Sequence, residues 1–198
     1  GKLQIADGMK NGALLVVPAD KIINDFLPSQ QNVVRFGPDE DICLTKLEER
    51  KDSLTFETNF LTSAIDLPVT GKYNATNAMV ATYVALKEGV TEEAIQKAFL
   101  TLELTRNRTE WKKAKNGADI LSDVYNANPT AMRLILETFS TIPCNENGQK
   151  VVVLADMKEL GAESKQMHGA MITSLNPEIL SEIFLYGEDM AALFAYAQ

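Results

Sequence analysis

The sequence predicts an α/β fold in which a β-rich segment is followed by a parallel sheet with helices on its faces. Two observations predict it. Residues 13–70 are dense in short strand-like runs, whereas residues 118–196 alternate strand-like with helix-like runs. Successive β-α units favour parallel strands, because right-handed crossovers join nearly all strands of that kind. Two regions of different rhythm therefore share the chain.

The first region contains two buried-type runs, ALLVVP and NVVRFG, and two longer segments that alternate like exposed antiparallel strands, ICLTKLEERKDSLTFET and FLTSAIDLPV. We expect one β-layer with a solvated face. After a glycine turn at Gly71, apolar residues recur at helical spacing over 75–86, and the pattern stops at Gly89. Thr91 is a typical N-cap for a second helix.

A polar stretch, ELTRNRTEWKKAKNG, separates the two regions and places a domain boundary near residues 103–108. The second region then reads ADILSDVY, PTAMRLILETFSTI, VVVLADM, SKQMHGAMITSL, EIFLYG and MAALFAYA. In doubly wound sheets, ligands bind beyond the carboxyl ends of the strands. Asp123, Asp156 and Met157 fall at such ends.

Charge, cysteine spacing and the lengths of apolar runs argue against several classes of partner and site. A net charge of −8 argues against nucleic acid or an anionic membrane as the main partner. Cys43 and Cys144 lack the spacing of a zinc site or a disulfide scaffold, which fits a reducing cytosol. No apolar run reaches the length of about 18 residues that a membrane span needs, and we expect no secretory signal because the first residues lack a charged-then-apolar pattern. The opening GKLQIADGMKNG and the closing GEDMAALFAYAQ suggest a piece of a longer protein.

The motif DVYNANP joins a strand-like run to a helical one. Asn128 can cap that helix and Pro129 suits its first position, so both have a sufficient structural explanation. Asp123, Tyr125 and Asn126 are not needed for capping. A carboxylate can accept hydrogen bonds from ribose hydroxyls, and an amide can both donate and accept. We therefore predict ligand-binding roles for Asp123 and Asn126.

The motif GKYNATN contains a Gly-Lys pair but is not a phosphate-binding loop. That loop needs a glycine at position 66 and Ser or Thr at position 73, where this chain has Asp66 and Tyr73. Asn74 and Asn77 are three residues apart and face one side of a helix start. They are either ligand contacts or turn and cap residues.

Two further side chains are candidates for charge or proton chemistry. Arg108 can neutralise a phosphate, or it can be a solvated arginine of the separating stretch. His168 is the single histidine, and no nucleophilic Ser or Cys motif accompanies it. We predict that His168 is a surface residue and that no histidine-based triad exists.

Four stretches, GKYNATNAMVA, NRTEW, ILSDVYNANPTAM and VLADMKELG, together resemble the Mur ligase family. The resemblance spans nearly the whole chain and implies a UDP-sugar domain, a central ATPase domain and a Rossmann-like C-terminal domain. Residues 1–104 would end the central domain, and residues 105–198 would begin an incomplete C-terminal one. The phosphate loop and the UDP-sugar domain would lie elsewhere, so the 198 residues alone are expected to be inactive.

The YNANP and DMKELG stretches resemble the family branch that joins D-alanyl-D-alanine to UDP-N-acetylmuramoyl-tripeptide. The resemblance implies that ATP phosphorylates the tripeptide carboxylate and that the dipeptide amine attacks the acyl phosphate. The setting would be peptidoglycan precursor synthesis by a monomer in the bacterial cytoplasm. The alternatives are a sister ligase that adds a single amino acid, folylpolyglutamate synthase, or a noncatalytic Rossmann-like binding module.

The resemblance also implies roles for nucleotide-binding residues. Asn74 and Asn77 match asparagines near the adenine of ATP. Arg108 matches an arginine that reaches the ATP phosphates, and Asp123 matches an acid near the ribose. Both are expected to serve catalysis as well as nucleotide binding.

The remaining implied roles concern the dipeptide and the metal. Asn126 and Asn128 would face D-alanyl-D-alanine, and Lys2 matches a carbamylated lysine whose carbamate binds Mg²⁺. Two residues depart from the family pattern. Tyr73 stands where many relatives have histidine, and Ala155 stands where glycine is expected.

Overall fold

The computed structural model of the protein describes residues 2–27, 32–102, 105–144 and 148–196. It contains helices together with parallel and antiparallel sheets, so the α/β class is confirmed. The chain divides into two compact units. The first comprises Gly1–Glu49, Ser53–Pro68 and Lys72–Leu102, and the second comprises Arg50–Asp52, Val69–Gly71 and Glu103–Gln198.

The described part of the first unit holds two sheets where the sequence predicted one layer. The parallel pair consists of β1 (Leu14–Pro18) and β2 (Asn32–Phe36), and the antiparallel sheet has the order β3 (Leu44–Glu49), β4 (Leu54–Thr58), β5 (Ile65–Leu67). The prediction of a single layer was wrong. A short helix, α1 (Lys21–Asn24), connects β1 to β2, and the two strands pair in parallel as a separate sheet. The Asp20 carboxylate caps this helix by accepting from the Ile22 N–H at 2.8 Å.

Both predicted helices of the first unit are confirmed, as α2 (Lys72–Lys87) and α3 (Glu92–Leu100). Gly71 and Gly89 flank α2 with φ of 97° and 85°, a left-handed conformation that favours glycine. The Thr91 hydroxyl caps α3 by accepting from the Ala94 N–H at 3.3 Å. The buried apolar residues of the antiparallel sheet and of α2 are Leu54, Phe56, Ile65, Leu67, Ala75, Ala78 and Met79.

In its described residues, the second unit contains a hairpin, a parallel strand pair and three α-helices. Its elements are β6 (Glu110–Lys113), β7 (Asp119–Ser122), α4 (Pro129–Thr141), β8 (Val151–Ala155), α5 (Ser164–Ala170), β9 (Glu182–Tyr186) and α6 (Ala191–Tyr196). Two 3-10 helices, Gly161–Glu163 and Met171–Ser174, flank α5.

The β6–β7 hairpin corrects the expectation that the run ADILSDVY belongs to the parallel sheet. In the described structure β7 pairs antiparallel with β6, whereas β8 and β9 form a parallel pair. The polar stretch taken as a separator thus contains a strand. The turn of the hairpin is closed by a hydrogen bond from the Ala114 N–H to the Ala118 carbonyl at 2.9 Å, and Gly117 in this turn has φ of 88°. Asp123 therefore follows a hairpin strand rather than a strand of the parallel sheet.

One hydrophobic core of the second unit is shared by α4, α6, the 3-10 helix Met171–Ser174 and the β8–β9 pair. Its buried members are Met132, Leu136, Val152, Leu154, Met157, Met171, Leu180, Met190 and Leu193. The predicted start of α4 is confirmed, since the Asn128 side-chain oxygen accepts from the Ala131 N–H at 2.9 Å and Pro129 opens the helix. This core fixes the carboxyl ends of β8 and β9.

Candidate functional site

The hairpin brings the loop before β6 against the turn after β7. Glu110 pairs with Ser122 in register, so residues 107–109 and 123–125 lie at the same end. The Tyr125 N–H donates to the Asn107 carbonyl at 3.1 Å. The Thr109 N–H donates to Oδ1 of Asp123 at 3.0 Å. Two of the predicted site residues, Arg108 and Asp123, therefore belong to one connected cluster.

Arg108 projects from a backbone that few residues adopt. Its neighbours Asn107 and Thr109 have φ of 63° and 47°, although neither is glycine. The guanidinium carbon of Arg108 lies 4.2 Å from the centroid of the Tyr125 ring. A cation at this distance is attracted by the negative face of the ring. Arg108 remains exposed to solvent.

A carboxylate supports the strained loop from β6. Oε2 of Glu110 accepts from the Asn107 N–H at 2.8 Å and lies 3.1 Å from Nζ of Lys112. The hydrogen bond from Asn107, followed by that from Lys112, lowers the pKa of Glu110 below its ordinary value of 4.5. Glu110 therefore stays ionised and keeps the loop hydrogen bond at neutral pH.

The remaining predicted site residues occupy separate places. Asn126 and Asn128 are exposed and follow the cluster along the chain, and the oxygen of Asn128 is used by the helix cap. Asn74 and Asn77 lie on α2 of the first unit, the former partly buried and the latter exposed. The side chain of Lys2 lies outside the described residues. Their ligand roles stay predictions.

A pocket of about 470 Å³ opens beyond the carboxyl ends of β8 and β9. Its lining consists of Asp156, Lys158, Tyr186, Gly187, Glu188 and Asp189. Asp156 directly follows β8, as predicted from the sequence, and Gly187 directly follows β9. This edge is where parallel sheets with helical crossovers bind ligands.

The Asp156 carboxylate organises this pocket. Oδ1 accepts from the Met190 N–H at 3.0 Å, and Oδ2 accepts from Nζ of Lys158 at 3.0 Å. Gly187 has φ of 116°, and a Cβ built on it would overlap the Asp156 carboxylate. Glycine is thus required at position 187 for both conformation and space.

Burial acts to raise the pKa of Asp156, but the hydrogen bonds from Lys158 and the Met190 N–H outweigh it, so the net pKa lies below the ordinary 3.8. A lowered folded-state pKa contributes stability that is present above the unfolded pKa and is lost as pH falls through the folded value. The Asp156→Asn variant should therefore be less stable than the unmodified protein at neutral pH, and the difference should shrink in acid.

Urea denaturation at about pH 7 and about pH 3 would measure this difference, since the linked stability is lost only below the ordinary aspartate range. Lys158→Met is the matched control. Removing the Lys158 ammonium should raise the pKa of Asp156, so this variant should lose less stability in acid than the unmodified protein does. A stability difference that stays constant across this range would contradict the assignment.

His168 is fully buried, so its predicted surface position was wrong. Its Nδ1 lies 2.7 Å from the Ser164 carbonyl, which can only accept, so Nδ1 donates. Its Nε2 accepts from the Met157 N–H at 2.9 Å. The neutral imidazole thus ties α5 to the residue that follows Asp156. Sequence reasoning missed this role because the partners are backbone groups, which leave no motif.

Both ring nitrogens of His168 are therefore engaged in protein hydrogen bonds. Asp156, His168 and Asp189 have one potential ligand atom each within 4.8 Å of one another. A metal at this place would need an imidazole nitrogen with a free lone pair, which the hydrogen bonds of His168 do not leave. These three residues do not fit a metal centre in the described structure.

Two family models match the chain in succession. Residues 1–85 match the Mur ligase middle domain, and residues 107–198 match the domain described as Mur ligase, glutamate ligase domain. The two matches together include most of the sequence, in the order in which the two units occur. The chain belongs to the Mur ligase family.

Curated relatives of this Mur ligase chain include two enzymes named UDP-N-acetylmuramoyl-tripeptide–D-alanyl-D-alanine ligase. The one from Bacillus subtilis (strain 168) is 27% identical over 188 residues, covering 94% of this chain and 41% of the relative. The one from Escherichia coli (strain K12) is 29% identical over 177 residues, covering 84% and 38%. The chain therefore spans about two fifths of the length of these relatives.

Solved structures agree with this Mur ligase assignment. MurF from Acinetobacter baumannii has a TM-score of 0.85 and 27% identity, covering 98% of this chain and 43% of that chain. MurF ligase from Thermotoga maritima, solved in complex with ADP, has a TM-score of 0.81 and 23% identity, covering 96% and 44%. The second likeness is one of fold.

Within the described part of this Mur ligase chain, no helix combines the length and the apolar character needed to cross a bilayer.

Among the residues that line the pocket, sequence patterns pointed to Asp156 but not to Lys158 or Gly187. Lys158 could have been found from its place three residues after the strand VVVLA. Gly187 could have been found as the glycine that ends EIFLYG.

Proposed function

We propose that the protein containing this chain is an ATP-dependent ligase that joins D-alanyl-D-alanine to UDP-N-acetylmuramoyl-tripeptide during peptidoglycan precursor synthesis. One observation carries the proposal. A relative with that named activity aligns with 94% of the chain, through both matched family domains. The alternatives are a sister ligase, folylpolyglutamate synthase and a noncatalytic binding module. The alignment favours the D-alanyl-D-alanine ligase over these alternatives.

The proposed reaction proceeds through an acyl phosphate. The tripeptide carboxylate attacks the γ-phosphorus of ATP and releases ADP. The amine of D-alanyl-D-alanine then attacks the activated carbonyl, and phosphate leaves as the amide forms. Such chemistry depends mainly on positioning the reactants and neutralising phosphate charge. The contribution of this chain would be contacts that hold nucleotide and dipeptide.

Arg108 and Asp123 are the proposed nucleotide contacts of the second unit. Arg108 is exposed and carries five N–H donors in a planar fork that matches phosphate oxygens. Asp123 uses Oδ1 on the Thr109 N–H, which leaves Oδ2 to accept from a ribose hydroxyl. Their connection through one loop supports a shared ligand.

Further proposed contacts follow the resemblance. Asn74 and Asn77 would approach the adenine from α2 of the first unit. Asn126 and Asn128 would face the dipeptide. Because the oxygen of Asn128 caps α4, its NH₂ group is the part that remains to donate to a ligand.

Mg²⁺ is part of the proposal through Lys2, whose carbamate would supply an oxygen ligand. The described residues offer one three-residue group close enough for a cation, Asp156 with His168 and Asp189, and the hydrogen bonds of His168 rule it out. When bound, Mg²⁺ would neutralise charge on the ATP phosphates.

The proposed organisation places the end of the central ATPase domain in residues 1–104 and the start of the C-terminal domain in residues 105–198. The first unit ends at Leu102, and the family matches end at residue 85 and resume at residue 107, which supports a division in this interval. A monomer in the bacterial cytoplasm completes the proposal.

The direct assay uses the complete protein that contains this chain, purified and supplied with ATP, Mg²⁺, UDP-N-acetylmuramoyl-tripeptide and D-alanyl-D-alanine. Phosphate release should require all three substrates together. Release that is unaffected by omitting the dipeptide would contradict the proposed ligation and favour a different ATP-dependent activity.

Asn126→Ala in the complete protein should raise the KM for D-alanyl-D-alanine by about twofold to tenfold, the cost of one neutral hydrogen bond. The KM for ATP, measured in the same variant, serves as the internal control and should change little. Such a split would mean that the amide contacts the dipeptide. Equal increases in both constants would indicate a structural role for Asn126 instead.

A further inference from the structure

We propose that Tyr125 is a positioning residue that holds the guanidinium of Arg108 in place for the phosphates of the nucleotide. The inference rests on the proposed function. It extends that function to Tyr125, whose side chain contacts Arg108 through the face of its ring. Three features of the second unit carry it: a strained loop, a backbone tie and a ring contact.

The loop that carries Arg108 is strained, and its contacts hold it in one conformation. Asn107 and Thr109 both adopt positive φ, which persists in non-glycine residues only where surrounding contacts over-determine it. The N–H of Asn107 is held by Glu110, and the N–H of Thr109 is held by Asp123. The Asn107 side-chain oxygen also accepts from Nζ of Lys112 at 2.8 Å. These contacts fix the backbone on both sides of Arg108.

Tyr125 completes the arrangement from the other side. Its N–H donates to the Asn107 carbonyl at 3.1 Å, and its ring lies 4.2 Å from the guanidinium carbon of Arg108. The backbone is therefore fixed by hydrogen bonds, while the ring restricts the side chain. An exposed arginine without such a contact would sample many rotamers and would lose that freedom on binding a ligand.

The ring contact leaves the binding capacity of Arg108 intact. A carboxylate partner would occupy its N–H donors and neutralise its charge, but Arg108 forms no ion pair with a described residue. An aromatic face attracts the cation without accepting conventional hydrogen bonds from all its donors. The guanidinium is thus ordered and still charged, as recognition of a phosphate requires.

The test is a double-mutant cycle in the complete protein. Tyr125→Leu removes the aromatic face and should raise the KM for ATP by about twofold to fivefold, the range of an exposed cation–π contact. The kcat and the KM for the dipeptide should change less. Tyr125→Phe retains the face and should restore most of the affinity for ATP. Tyr125→Leu should have no further effect in an Arg108→Ala background.

Two controls separate this role from general damage. Val124→Ala alters the exposed neighbouring residue and should leave the kinetics unchanged. Nuclear magnetic resonance of the Arg108 side chain should show ring-current shifts in the unmodified protein and in Tyr125→Phe, and their loss in Tyr125→Leu. An effect of Tyr125→Leu that persists in the Arg108→Ala background would overturn the positioning role.

The outcomes also distinguish this inference from the function on which it rests. Ligation with an unchanged KM for ATP in Tyr125→Leu would overturn the inference alone. Absence of ATP-dependent ligation in the unmodified protein would overturn the proposed function and the inference with it, whatever the resonance shifts show.

Discussion

Replacing Arg108 or Asp123 by alanine in the complete protein is expected to lower kcat/KM for ligation at least tenfold. The proposed contacts are charge-assisted hydrogen bonds to the nucleotide, and the loss of one costs about 1.5–3 kcal/mol. Steady-state kinetics with ATP as the varied substrate would measure the effect. Neither side chain belongs to the hydrophobic core, so the fold should persist.

Conservative variants separate binding from loop support. Asp123→Asn keeps an oxygen that can accept from the Thr109 N–H but removes the charge offered to the ligand. It should preserve thermal stability and still reduce kcat/KM. Arg108→Lys keeps the charge and loses the planar fork, so it should recover only part of the activity. Near-normal turnover in both alanine variants would contradict the proposed nucleotide contacts.

His168→Ala should destabilise the second unit by about 3 kcal/mol or more. The Met157 N–H would lose its acceptor, and an unsatisfied buried donor costs about 1–3 kcal/mol. The cavity left by the fully buried ring adds a cost of about 2 kcal/mol or more. Equilibrium denaturation followed by circular dichroism would measure the loss.

Ser164→Ala is the matched control for His168. The stronger partner of His168 Nδ1 is the Ser164 carbonyl, at 2.7 Å, whereas the hydroxyl lies 3.3 Å away. Removing the hydroxyl leaves the carbonyl in place, so the stability should fall by less than about 1 kcal/mol. If His168→Ala proved as mild as Ser164→Ala, the proposed tie between α5 and the Asp156 turn would not be supported.

Local sequence signals predicted the elements whose causes are local. Gly71, Gly89, Thr91 and Asn128 marked helix ends, and each marked a real one. Pairing partners were harder, because a strand-like run does not state its neighbour. The β6–β7 hairpin was missed although Asn116 precedes the turn glycine, a pair typical of hairpin turns.

The candidate site shows the same division between local and distant causes. Arg108 and Asp123 were predicted from motifs, but their connection through Thr109 depends on hairpin register. The burial of His168 depends on α5 lying against the turn after β8, where the Met157 N–H donates to the ring, and no local sequence pattern indicates that contact. Gly187 is explained by the Asp156 carboxylate, a residue distant in sequence.

The identity of the product tests the central claim most directly. The complete protein would receive UDP-N-acetylmuramoyl-tripeptide, ATP and Mg²⁺ with an equimolar mixture of D-alanyl-D-alanine and single amino acids, and the nucleotide-linked products would be separated and weighed by mass spectrometry. The proposed function predicts one product, heavier than the tripeptide substrate by a dipeptide residue. A product that gained a single amino acid, or no ATP-dependent product, would contradict it.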